Sequence, residues 1–200
     1  MKRFLLFFIV LIVGFLATNA QKTDFLTDER DGQKYEIMLF GEHWWMTENM
    51  NFVTEKGSWC YNNEAENCAI YGKLYDWKTA SEVCPAGWRL PSNDDWYSLI
   101  EHLGGKDKAG CNMKKREGGL WKCTMKEPTQ TICFNALPNG YFLEGTTFEL
   151  KGTNAYWWSS TDYDLGYYWV YGLDCGFPGI YKFDYDQQAG FGVRCVKDAD

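Results

Sequence analysis

The chain has 200 residues and a formal net charge of −7, with ten Trp, thirteen Tyr and thirteen Phe. An acidic chain repels phosphate backbones and anionic lipid, so nucleic acid and an anionic membrane surface are excluded as expected partners. Length suits one domain with a real core, and the sparse aliphatics mean that the core is built largely from rings.

Lys2 and Arg3 form a basic head, an apolar run follows from Phe4 to Leu16, and Ala17-Thr18-Asn19-Ala20 supplies small residues. These are the three parts of a secretory signal peptide. The apolar run is too short for a membrane anchor, since a spanning helix needs roughly 20 residues. Cleavage after Ala20 would leave Gln21 first and remove two positive charges, taking −7 to −9. No second long apolar run follows, so the expectation is an exported chain with no transmembrane segment after cleavage, in a periplasm, at a cell surface or outside the cell.

Residues 21–30 are polar and read as a loose segment. A single domain is expected over 31–198. Asp31-Gly32-Gln33 turns into a strand at Tyr35–Leu39, and Trp44–Met46 makes a second strand of a hairpin about Gly41. Residues 47–70 read as loop. Leu74–Val83 reads as a first helix, with Leu74, Trp77 and Ala80 at helical spacing, stopping before Cys84-Pro85. Ser92 begins a second helix as N-cap, with Asp95 three residues on. Trp96, Leu99, Ile100 and Leu103 form its apolar face, and Gly104-Gly105 ends it. From 106 onward, short aromatic strands alternate with Gly, Asn and Asp turns. The pattern is α+β.

Eight cysteines are present: Cys60, Cys68, Cys84, Cys111, Cys123, Cys133, Cys175 and Cys195. An even count in an exported chain points to disulfides. No C-x-x-C pair occurs and the only histidines are His43 and His102, which argues against zinc. Cys60 and Cys68 flank the turn-like Asn62-Asn63 and are expected as local partners, although spacing alone does not choose among the pairings.

Asp31-Gly32-Gln33, Trp45–Asn51, Trp59-Cys60-Tyr61, Tyr71–Trp77, Cys84–Trp88, Ala136–Tyr141, Tyr156–Thr161 and Val193–Val196 occur in order. Together they resemble the motifs of the Fibrobacter succinogenes major paralogous domain over about residues 28–198. The stretch from Trp77 to Leu99 also resembles the opening of C-type-lectin-like domains. Arg89–Trp96 and Gly190–Val196 resemble segments of formylglycine-generating-enzyme-type domains of the same general fold. The resemblance implies a C-type-lectin-like α+β domain, two helices packed on a twisted antiparallel sheet with long disulfide-stapled loops. It implies a Cys84–Cys195 bridge and fits Cys60–Cys68. Cys123–Cys133 is then local, and Cys111–Cys175 is the remaining pair. Such a fold presents ligands on loops and strands at about 138–185.

That segment holds Trp157, Trp158, Tyr163, Tyr167, Tyr168 and Trp169, the candidate ligand-binding residues. Neighbours in a strand point to opposite faces, so Trp157 and Trp158 cannot share one side, nor can Tyr168 and Trp169. Tyr163, Tyr167 and Tyr168 are the better candidates for exposure. No catalytic residue is expected. The reactive cysteine pair of the oxidase chemistry is missing, no carboxylate pair is singled out by its setting, and neither histidine stands beside a G-x-S-x-G signature. No cofactor or metal site is expected. The usual calcium-lectin strings do not occur, although a structural calcium stays compatible with the many Asp and Asn. The expected function is a non-enzymatic binding or surface-interaction module for a polysaccharide or a cell-surface protein. The alternatives are a structural envelope protein without a small ligand and an exported hydrolase or oxidase.

Overall fold

A computed structural model describes residues 21–123, 134–143 and 147–199. The expected signal peptide at 1–20 lies outside the described residues. The described chain is mixed α/β, mostly sheet, with short helices and three disulfides. Among the described residues, no helix is long and apolar enough to cross a membrane.

The first sheet is four-stranded. It contains β1 (Thr23–Thr27), β2 (Lys34–Phe40), β3 (His43–Met46) and the last strand β11 (Val196–Asp198), in that spatial order. The expected hairpin is β2 and β3. The expected loose segment is corrected, because β1 pairs antiparallel along β2 from Thr23 opposite Met38 to Thr27 opposite Lys34. Four of its five residues are exposed, Phe25 among them. A half-covered edge strand needs backbone partners more than apolar side chains.

Next come β4 (Ser58–Trp59), a 3₁₀ turn (Tyr61–Asn63), α1 (Ala65–Tyr71), β5 (Leu74–Tyr75) and α2 (Trp77–Ala80). Two expectations fail here. The stretch expected as loop contains α1. The helix expected over Leu74–Val83 shrinks to four residues. Leu74 and Tyr75 pair with Trp59 and Ser58, and Tyr75 also bridges Phe191. Asp76 then starts the short helix by accepting from the Thr79 backbone N–H at 2.7 Å. Strand pairing and a new cap have overridden helical periodicity.

The helix α3 (Asn93–His102) follows Ser92 as expected. It has a full capping box: Ser92 Oγ accepts from the Asp95 N–H, and Asp95 accepts from the Ser92 N–H. A further short helix, α4 (Ala109–Met113), was not expected. A small hairpin, β6 (Tyr141–Leu143) with β7 (Thr147–Glu149), precedes a three-stranded sheet. That sheet is built from β8 (Asn154–Asp164), β9 (Tyr167–Asp174) and the edge strand β10 (Tyr181–Asp186). The described strands thus form four separate sheets, not the single sheet expected.

The sheet of β8 and β9 is buried on both sides along much of its length, and this sorts the adjacent tryptophans. Trp157 faces one cluster with Trp45, Trp96, Phe134 and Tyr171. Trp158 faces the other, with Tyr75, Val170 and Phe191. Both indoles are fully buried and both N–H groups are satisfied, Trp157 by Asn49 Oδ1 at 2.8 Å and Trp158 by the Tyr75 carbonyl at 2.7 Å.

The disulfides join Cys60 to Cys68 and Cys84 to Cys195. The other two expected pairings are corrected. Cys123 is bonded to Cys175, so neither sulfur is available to Cys133 or Cys111. Cys111 is free and buried in α4, and Cys133 lies outside the described residues.

A charged cluster ties the last strand to α3. Arg89 bonds both oxygens of Asp95 and also reaches Asp198, and His43 Nε2 lies 3.5 Å from Asp95 and 3.6 Å from Asp198. Burial alone would raise the Asp95 carboxyl, but the bonds from Arg89 and Ser92 outweigh it and hold the group below its ordinary 3.8. Since the folded value lies below the unfolded one, this stabilisation is complete above about pH 4 and fades as the pH falls through the folded value. Asp95→Asn is therefore expected to lower the melting temperature at neutral pH, corresponding to about 1–3 kcal/mol. The gap from wild type should narrow as the pH falls below the ordinary carboxyl value and through the lower folded one. Thermal melts across that range check this. A gap that is constant with pH would mean that the charge is not what stabilises.

Candidate functional site

Alternation along β9 places Tyr167, Trp169 and Tyr171 on one face and Tyr168 and Val170 on the other. In β10, Lys182 lies opposite Tyr171, Asp184 opposite Trp169 and Asp186 opposite Tyr167, so these three share the first face. On β8, Trp157 lies opposite Tyr171 and joins the same face. The register of β8 then shifts twice between Trp158 and Asp164, with Asp162 opposite Tyr168. The next residue, Tyr163, consequently projects toward Trp169, and the two rings meet edge to face at 4.8 Å.

Helix α3 covers only part of this face. Trp96 stacks on Tyr171 at 4.8 Å, and Tyr97 meets the Tyr171 edge at 6.4 Å. Beyond the helix, Trp169, Tyr163 and Tyr167 remain half-buried or exposed. Lys182 connects the covered and uncovered parts. Its ammonium lies 4.2 Å from the Trp169 ring centroid and 4.8 Å from that of Tyr97, and it hydrogen-bonds the Tyr97 hydroxyl. Such cation–ring contacts fix the two rings relative to each other.

Beside Lys182 the surface dips into a cleft of about 500 Å³ lined by Ile100, Tyr171, Phe177, Ile180 and Tyr181, with Lys106, Asp107 and Glu101 at its rim. An apolar floor with a few polar groups around it is the usual composition of a small-ligand site. Tyr97 and Phe177, both more than two-fifths exposed, stand at its mouth.

The six sequence candidates therefore separate. Tyr163, Tyr167 and Trp169 come together on the open face. Trp157 and Trp158 do not belong to any surface, because both faces of β8 are covered where they sit. Tyr168 was expected to be exposed, but its ring lies flat on Trp77 at 3.5 Å with 12° between the planes. Sequence reasoning missed Tyr97, Lys182 and Phe177. Tyr97 follows a core Trp on a helix and carries a ring where the amphipathic pattern calls for a polar residue, which was the available signal.

No group of three or more His, Cys, Asp or Glu side chains able to hold a metal occurs among the described residues. The face carries ring planes, the Lys182 ammonium and, by register, Asp184 and Asp186.

The chain belongs to the Fibrobacter succinogenes major domain family, whose model matches residues 38–197. No curated protein and no solved structure matches the chain.

Proposed function

We propose that the chain is an exported, non-enzymatic binding module of C-type-lectin-like fold that takes a polysaccharide on the Tyr97–Trp169–Tyr163 face. The observation that carries this reading is the run of partly exposed rings continuing alongside α3 into the apolar cleft, with Lys182 and Asp184 on the same face. Sugar rings present apolar C–H faces and polar edges. Aromatic planes bury the first, and an ammonium and a carboxylate hydrogen-bond the second. Tyr163 and Trp169 stand at 75° to each other, so they present differently directed ring surfaces rather than one flat platform. Export is supported by the N-terminal signal pattern together with three disulfides, which persist in oxidising compartments. The lectin-like fold is supported by the Cys84–Cys195 bridge and by β11 pairing with β3, which bring the end of the domain back to its beginning.

Titration with soluble oligosaccharides, followed by tryptophan fluorescence, tests the assignment. Trp169→Ala and Tyr97→Ala should each weaken binding on the order of tenfold, the loss of one well-buried ring contact. Tyr168→Ala, on the opposite face, should leave affinity within about twofold once folding is verified. Equal losses from both faces would contradict the site.

A further inference from the structure

A second pocket, of about 370 Å³, shares no lining residue with the aromatic face. Its floor includes Arg194, which is buried to 1% exposure. Nε donates to Asn49 Oδ1 at 2.6 Å, Nη1 to the carbonyls of Met46 and Phe134 at 3.1 and 2.8 Å, and Nη2 to the Asn135 carbonyl at 3.3 Å. All four acceptors are neutral. None of the ion pairs among the described residues involves Arg194. Among the described residues its charge is met only by the Phe134 and Trp157 rings, 4.6 and 5.7 Å from Cζ, and by the field of Glu48, which is not in ion-pair contact, and burial still pulls this guanidinium down to about 9.

The rest of the lining reinforces the sign. Lys34 and Lys115 stand in the wall, and Glu48 is the sole carboxylate there. Glu36 lies behind it, held by Thr47 and Asn135. In a chain of net charge −7 this is a local reversal. Asn51, also in the lining, has its side-chain oxygen buried with no hydrogen-bond partner. Buried acceptors are rarely left so. The lining thus carries three cationic side chains against one carboxylate, and one buried acceptor without a donor. Its shape is fixed by Gly72 (φ +73), where a Cβ would come within 2.6 Å of Asn49 Cβ.

We infer that this pocket binds a small hydroxylated carboxylate of uronate size, with the acid group toward Arg194 and Lys115 and a hydroxyl donating to Asn51. A volume near the lower end of small-ligand pockets suits a single sugar acid. A free sugar acid and the end of an acidic polysaccharide share this chemistry.

The test uses the full chain exported in a bacterial host, with its disulfides intact, titrated calorimetrically with glucuronate, glucose and acetate. Saturable binding of glucuronate, tighter than either control, is expected. Lys115→Glu, which reverses a charge without touching the core, should weaken it on the order of tenfold, and Glu48→Gln should tighten it about threefold. Trp169→Ala should leave it unchanged, so that failure of the aromatic face and failure of this pocket are read separately. A short oligosaccharide ending in the uronate that binds at least as tightly identifies a chain end, and binding of the monosaccharide alone identifies the free acid. The inference is overturned if glucuronate does not saturate, if glucose or acetate binds equally well, if neither charge variant changes the affinity, or if Trp169→Ala abolishes it.

Discussion

Replacing both Cys84 and Cys195 by alanine is expected to lower stability by about 4 to 5 kcal/mol in the chain-entropy view of a cross-link. The bridge spans 111 residues, most of the described domain. It joins the segment just after α2 to the residue before β11, and β11 in turn pairs with β3. Without it, those pairings must close a long loop unaided. A loss of that size is a large part of a typical domain stability of about 5–15 kcal/mol. Denaturant titration of the double variant against wild type reads it. The matched removal of Cys60–Cys68, a separation of 8, should cost clearly less, because the loop it closes is short. Equal costs for the two bridges would contradict the entropic account.

Trp157→Ala is expected to cost about 3–5 kcal/mol, through lost burial and the cavity left behind. Trp157 is fully buried, 6.1 Å from both Trp96 and Phe134 by ring centroid. Its N–H is one of two donors on Asn49 Oδ1, the other being Arg194 Nε. The substitution thus removes a ring and loosens the acceptor that anchors the buried guanidinium. Trp157→Phe keeps most of the ring and should cost less, with the missing hydrogen bond contributing about 0.5–1.5 kcal/mol. Tyr167→Ala, on the exposed surface, should stay within about 0.5 kcal/mol of wild type. Chemical unfolding of the three variants gives the order. If Tyr167→Ala proved as damaging as Trp157→Ala, the assignment of one to the core and the other to the open face would fail.

How far the sequence could be read depended on whether the deciding interaction was local. Helix α3 was legible because Ser92, Asp95 and Gly104 carry its start and stop within thirteen residues, and these caps are what the structure uses. The β2–β3 hairpin was legible for the same reason. Helix α1 was not. Its buried residues are Asn67, Cys68 and Tyr71, which give no apolar stripe, and the Cys60–Cys68 bridge ties it to the preceding turn. Leu74–Val83 misled because Tyr75 takes its backbone partner from Phe191, more than a hundred residues away. The same distinction holds at the site. Alternation alone showed that Trp157 and Trp158 face opposite ways, but only the packing of a core on each side of β8 removes both from the surface. Tyr168 is covered by Trp77, and Trp169 is flanked by Tyr163 and Lys182, through tertiary contacts that no short motif encodes.

The most direct test of the central reading is retention of the full exported chain on insoluble polysaccharides, cellulose among them, in parallel calcium and chelator buffers. The expected result is saturable retention, equal in both buffers and abolished in the Tyr97→Ala/Trp169→Ala double variant, with no soluble sugar released. No retention on any polysaccharide, or retention untouched by the double variant, would contradict the aromatic binding face, and release of soluble sugar would contradict its non-enzymatic character.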